Sequence, residues 1–174
     1  MVPNYLFLDT EWADAAGAEL VSLALISEDG RHCFYAECAQ LPAAPTPFVA
    51  EVVYPRLERG AAALDERTLR EALRTFIEEL APAYVLADFP NDIRLLRAVL
   101  AGDGTDLRPG PELITTVMDK EGDTAKWVEA WFGAHPGLAA RRHHALVDAQ
   151  ALRMAWRVVT GRISPDEWRR TAID

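Results

Sequence analysis

Cysteine, positive charge and long apolar runs are all scarce in this chain of 174 residues. Cys33 and Cys38 are too few for a disulfide scaffold and have no further cysteines to complete a metal site, so two reduced, partly buried thiols are expected. No apolar run approaches the roughly 20 residues that a bilayer-spanning helix needs, so no membrane partner is expected. The opening Met-Val-Pro-Asn-Tyr carries no basic stretch ahead of an apolar one. A secretory signal is therefore not expected, and the chain reads as cytoplasmic. A formal net charge of −9 excludes a protein that coats nucleic acid through its overall field. It leaves room for an enzyme that holds a short strand end through metal ions. The positive charge that exists is local: Arg141, Arg142, Arg153, Arg157, Arg162, Arg169 and Arg170 all fall in the last third. Solvated helix surfaces account for most of them.

What is present is an ordinary globular composition, 50% hydrophobic and 26% charged, in a length that suits one well-cored domain over residues 1–174. Tyr5 to Asp9 is a short, nearly all-apolar run and reads as a central strand. Glu19 to Ser27 is a second, and Asp29-Gly30 is a hairpin signal leading into a third, Arg31 to Glu37. Leu41 to Pro55 holds four prolines and no clear period, the mark of an irregular excursion that covers something. Thr68 to Leu80 has an amphipathic helical period through Leu69, Ala72, Leu73, Phe76, Ile77 and Leu80. Tyr84 to Ala87 is a fourth strand, Asp92 to Leu100 a helix closed by Gly102, and Glu112 to Met118 a fifth strand. A short helix at Lys126 to Phe132, a loop from Gly133 to Arg142 and a strong helix at Ala145 to Val159 follow. Ser164-Pro165-Asp166-Glu167 opens a last helix with a capping-box pattern and proline at its first position. Hairpin-linked strands followed by alternating helices and strands predict an α/β domain with a mixed sheet.

Three clusters carry chemistry. Asp9-Thr10-Glu11 ends the first strand, where alternation points residues two apart at one spot. Two carboxylates that close repel unless a cation lies between them, and hard cations such as Mg²⁺ take oxygen ligands. A polar turn at a strand end would explain the tripeptide equally. Ala87-Asp88-Phe89-Pro90-Asn91-Asp92 joins the fourth strand to a helix, the position at which open α/β sheets place ligands. Asn91 as an N-cap and Asp92 as a first-turn acid have a purely structural explanation in the helix dipole. Arg141-Arg142-His143-His144-Ala145-Leu146-Val147-Asp148 opens the strong helix. A loop histidine at 143 can swing toward a metal bound by Asp148, whereas His144, four residues before Asp148, shares its helical face. Helical geometry alone slightly prefers His144.

In this fixed order the three clusters resemble the DEDDh 3′–5′ exonucleases. Phe7-Leu8-Asp9-Thr10-Glu11 resembles their first motif and Asp92-Ile93-Arg94-Leu95-Leu96 their second. His143-His144-Ala145-Leu146-Val147-Asp148-Ala149 resembles the third, whose histidine precedes the aspartate by five; on that resemblance His143 is the functional histidine. The short stand-alone form is similar to small bacterial exoribonucleases of the mycobacterial type. It departs from proofreading subunits and ribonuclease T, since Trp12 follows the glutamate where they typically carry threonine.

The resemblance implies a ribonuclease-H-like sheet of five strands ordered 3-2-1-4-5, flanked by helices. It implies catalysis with two Mg²⁺ or Mn²⁺ ions. Asp9, Glu11 and Asp148 would hold the ion on the nucleophile side, Asp9 would bridge to the second, and Asp92 would support that one through water. His143 would be the general base. Trp12 is a candidate stacking platform for a terminal base, with a core tryptophan the equal alternative. Thr10 and Arg142 are further candidate substrate contacts. The expected partner is the 3′ end of single-stranded or overhanging nucleic acid, RNA by the subfamily resemblance, with 5′-mononucleotides released. Relatives of this size are commonly homodimers. The alternatives are a DNA-directed exonuclease, a non-catalytic binding module of the same fold, and an endonuclease, which the His-x4-Asp spacing disfavours.

Overall fold

Leu6, Phe7 and Leu8 are all fully buried, so the strand that contains them, β1 (Asn4–Trp12), lies inside a sheet and not at its edge. The computed structural model describes residues 4–104, 108–118 and 122–168. On one side β1 pairs antiparallel with β2 (Leu20–Ser27), which pairs antiparallel with β3 (Cys33–Cys38). A two-residue strand, β4 (Ala63–Leu64), lies parallel to the end of β3. On the other side β1 runs parallel to β5 (Ala83–Ala87), and β5 parallel to β6 (Leu113–Val117). The chain is thus mixed α/β, with a six-stranded mixed sheet ordered β4-β3-β2-β1-β5-β6 and flanked by helices. This corrects the expected five strands in the order 3-2-1-4-5. The added strand bonds only alongside Glu37 and Cys38, and a two-residue run carries no readable alternation.

Pleating divides the core. Leu6, Leu8, Leu23, Leu25 and Val85 pack against Leu73 and Ile77 of α1 (Glu66–Glu79) and against Ile93 and Leu96 of α2 (Pro90–Ala101). Asp65 caps α1, accepting the Thr68 N–H at 2.9 Å, which starts that helix earlier than its apolar period suggests. Helices α3 (Asp123–Ala134) and α4 (Pro136–Ala139), the latter within the expected loop, lead to α5 (Ala145–Val159). On the opposite face Phe7, Ala24, Ile26 and Leu86 meet Ala145, Ala149 and Leu152 of α5. Alanines at 145 and 149 allow that helix close to the sheet. Trp131 and Phe132 of α3 pack on Val147, Ala151 and Met154, together with Trp168 of α6 (Pro165–Trp168). Ser164 and Glu167 exchange the reciprocal bonds of a capping box, at 3.2 and 3.0 Å. Arg169 and Arg170 lie outside the described residues.

Two smaller expectations are corrected. Asn91 is not the cap of α2: Phe89 takes that position, because Pro90, lacking an N–H, suits the first helical residue. Asn91 instead donates to the Gly17 carbonyl at 3.0 Å. Of the two free thiols only Cys38 is partly buried, since Cys33 begins β3 beyond the reach of β4 and is exposed. The proline-rich excursion contains one wide helical turn, Val49–Val53, running into a tight one, Tyr54–Arg56. Val49 and Val53 anchor it against Ala13 and Val21. No helix among the described residues is long and apolar enough to cross a membrane.

Phe7 is the side chain on which the close seating of α5 rests. Phe7→Ala is expected to destabilise the fold by about 3–5 kcal/mol, measured by denaturant unfolding, with the usual cost of a large core cavity. A loss below about 1 kcal/mol would show that α5 is held by other contacts.

Candidate active site

Beyond Phe7, alternation carries Asp9 and Glu11 toward the α5 side of β1 and Thr10 toward the α2 side. All three still pair with β2, opposite Ala24, Leu23 and Ser22, and the register shifts only between Glu11 and Trp12. The carboxylates are therefore mounted on rigid strand. Asp88 follows β5 directly, and Asp92 sits in the first turn of α2, 1% exposed. The Thr10 hydroxyl donates to Asp92 Oδ1 at 2.6 Å, tying the first segment to the second. Asp148 lies in the first turn of α5. Its Oδ2 accepts the His143 backbone N–H at 2.8 Å. That bond holds His143 at φ +66°, a left-handed conformation uncommon for residues other than glycine.

The result is a cleft of ≈450 Å³ lined by all five expected residues, Asp9, Glu11, Asp92, His143 and Asp148. Ligand atoms of Asp9, Asp88 and Asp92 lie within 4.8 Å of one another, as do those of Glu11, His143 and Asp148. Burial, then the charges of Asp148, Asp92, Glu11 and Asp88, hold the Asp9 carboxyl well above the usual range. Burial, with Asp148 and Asp92, pushes Glu11 up to about 8, against a smaller opposing pull from Arg56. Burial raises Asp148 to about 6, opposed by the His143 N–H and by Arg142. His143 moves the other way: burial, followed by the charges of Arg142 and Arg56, lowers its pKa and favours the neutral ring.

These residues fit a hard divalent cation. Asp9 Oδ2 and Asp148 Oδ1 are buried with no hydrogen-bond partner among the described residues, and the surrounding donors are carboxylate oxygens with one imidazole. Oxygen-rich, anionic sites are what Mg²⁺ and Mn²⁺ bind.

The two histidines separate clearly. His143 faces the cleft, edge-on to Phe48 at 4.9 Å. His144, the N-cap residue of α5, is 1% exposed, stacked on Tyr35 at 4.5 Å and 3.3 Å from Glu58. Trp12 lines the cleft and stacks on Phe89 with ring centroids 5.6 Å apart and planes 10° from parallel. Two expected substrate contacts are placed differently. Thr10 lines the cleft, but its hydroxyl is turned to Asp92. Arg142 is outside the lining: its guanidinium donates to both oxygens of Glu129, at 2.9 and 2.6 Å, and lies over the Phe132 ring. A planar fork engaged at two points and on one face has little left for a ligand. Its charge still reaches Asp148 and His143.

Sequence reasoning missed Asp88, Thr46, Phe48, Val49 and Arg56. Asp88 carried a signal, being the first residue past a buried strand. The proline-rich excursion that supplies Thr46, Phe48 and Val49, and runs into Arg56, was legible only as a cover. No protein-family model and no curated protein matches the chain.

A pH dependence follows. Asp148 and Glu11 hold their protons more tightly in the folded than in the unfolded chain, so they favour folding below the ordinary carboxylate range. That contribution is lost as pH rises through about 6 and about 8. In EDTA the melting temperature is expected to fall between about pH 5 and pH 8. Mg²⁺ or Mn²⁺ should restore more stability at pH 8 than at pH 6, because protons compete with the cation for the same oxygens. A melting temperature indifferent to both pH and divalent ions would contradict the clustered carboxylates.

Proposed function

We propose that this chain is a metal-dependent 3′–5′ exonuclease of the DEDDh type, on a ribonuclease-H-like sheet, acting on single-stranded 3′ ends and on RNA by preference. One observation carries the reading: Asp9 and Glu11 from β1, Asp92 from α2, and His143 and Asp148 from the start of α5 line a single cleft. Those are the residues, in the order, that the DEDDh resemblance requires. The preference for RNA rests on the subfamily resemblance alone.

Asp9, Glu11, Asp92 and Asp148 would hold the cations, with Asp88 close enough to join Asp9 and Asp92. Bound divalent ions supply charge neutralisation at the phosphodiester and a water of lowered pKa. The protein's own part is positional. The Thr10 hydroxyl orients Asp92, and the His143 N–H orients Asp148. His143, kept neutral by burial and by two neighbouring arginines, accepts the proton of the attacking water at an imidazole nitrogen. Trp12, Phe89 and Phe48 give the cleft aromatic surface on which a terminal base stacks, worth roughly 1–3 kcal/mol per base. Aromatic stacking tolerates any base and requires an unpaired one.

A linear single-stranded RNA is expected to shorten stepwise from its 3′ end in Mg²⁺ or Mn²⁺, releasing 5′-mononucleotides, and to stay intact in EDTA. A circular single strand should persist; its cleavage would mark an endonuclease. Asp9→Ala should lose essentially all activity. His143→Ala should lower kcat by about 10²-fold or more, the scale of a positioned general base, and His144→Ala by much less. Reversal of the two histidine effects, or full activity in EDTA, would overturn the assignment.

A further inference from the structure

Glu37 lies outside the cleft, on β3, and is fully buried at 0% exposure. Its carboxylate accepts four hydrogen bonds. The Tyr35 hydroxyl and the Glu58 backbone N–H donate to Oε1 at 2.7 and 2.6 Å. The Arg59 backbone N–H and guanidinium Nη1 donate to Oε2 at 3.0 and 3.3 Å. Arg59 also donates to the carbonyls of Cys38 and Ala39, at 3.0 and 2.7 Å. Arg59 has φ +56°, a conformation that L-residues rarely adopt. The two backbone donors belong to irregular chain between the helical turns, without a strand or helix partner of their own.

The loop fastened in this way runs from the end of β3 to Arg59. It carries Thr46, Phe48 and Val49, which wall the cleft. It also carries Arg56, whose charge acts on Glu11, Asp148 and His143. The same cluster extends to the histidine loop. The Glu58 side chain lies 3.3 Å from His144 Nε2 and 3.7 Å from Arg141, and the His144 ring stacks on Tyr35. A buried anion is a poor source of stability compared with apolar packing of the same volume; what it specifies well is geometry.

We propose that Glu37 is a positioning residue for the nuclease reaction: without touching substrate, it clamps the loop of residues 39–59 so that Phe48 and Arg56 face the carboxylates at the distance a nucleic-acid strand requires. The inference rests on the exonuclease reading for its kinetic consequence and on the hydrogen-bond network for its structural one.

Glu37→Gln keeps the shape and presents an NH₂ group to two of the donors. Arg59→Ala removes the clamp's outer arm and leaves the Arg59 backbone N–H bond to Glu37 in place. On a short single-stranded RNA with Mg²⁺, both variants are expected to raise KM, Glu37→Gln by roughly tenfold, the scale of one charged hydrogen bond, with kcat within about threefold of wild type. Hydrogen exchange should quicken in residues 39–59 while β1 and β2 keep their protection. A merely structural role would instead lower the melting temperature and the active fraction and leave KM alone. Unchanged KM in both variants, or unchanged exchange in residues 39–59, would overturn the proposal. A wild-type protein that degrades no strand would overturn the exonuclease reading, and the exchange measurement would then decide the clamp by itself.

Discussion

Carboxylates that share a buried space cannot all be anions unless something cancels their repulsion, and the site in this protein is organised around that constraint. Asp9, Glu11, Asp92 and Asp148 converge where the ends of β1 and β5 meet the first turns of α2 and α5. Burial raises the proton affinity of Asp9, Glu11 and Asp148 together, and the charges of neighbouring cluster carboxylates add to it at Asp9 and Glu11. Packing remote from the charges keeps the groups close. Phe7 and the two alanines of α5 fix that helix against the sheet. Inside the site, the Thr10 hydroxyl and the His143 N–H each fix one carboxylate. A cation or a proton relieves the repulsion, and only the cation does so at neutral pH without leaving the carboxyls neutral.

The surrounding cations are arranged consistently with that demand. Arg142 is held away by Glu129, so its field reaches Asp148 and His143 while its donors are engaged elsewhere. Arg56 acts from the tight turn that ends the excursion. Both lower the pKa of His143, which keeps the ring able to accept a proton. On the proposed exonuclease reading, attraction of a nucleic-acid strand to a chain of net charge −9 has to arise locally. Bound cations among aromatic walls would provide it, and would suit a strand end better than a long duplex.

Much of this was legible before the structure, for definite reasons. Period-two alternation after a buried run announced Asp9 and Glu11 as a pair, and the strong helical period from Ala145 placed Asp148 in a first turn. Asp92 was ambiguous because a first-turn acid is explained by the helix dipole alone; in the structure it takes a bond from Thr10 and lines the same cleft as Asp9 and Asp148. Helical spacing slightly favoured His144 and the resemblance chose His143; the left-handed backbone at His143, whose ring faces the cleft, is not legible from spacing. Trp12 and Phe89, Arg142 and Glu129, and Glu37 and Glu58 meet only through tertiary folding. The two-residue strand β4 was too short for periodicity to register. Proline content marked the segment from Leu41 to Pro55 as irregular but could not show that it forms the wall of the cleft.

Whether the carboxylate cluster is a divalent-cation site is tested most directly by anomalous scattering from crystals grown in Mn²⁺. Anomalous density is expected inside the cleft, coordinated by Asp9 and by carboxylates from both the Asp92 and the Asp148 sides. Crystals saturated with Mn²⁺ that show no density there, or density only at surface carboxylates away from the cleft, would contradict a cation site in the cluster.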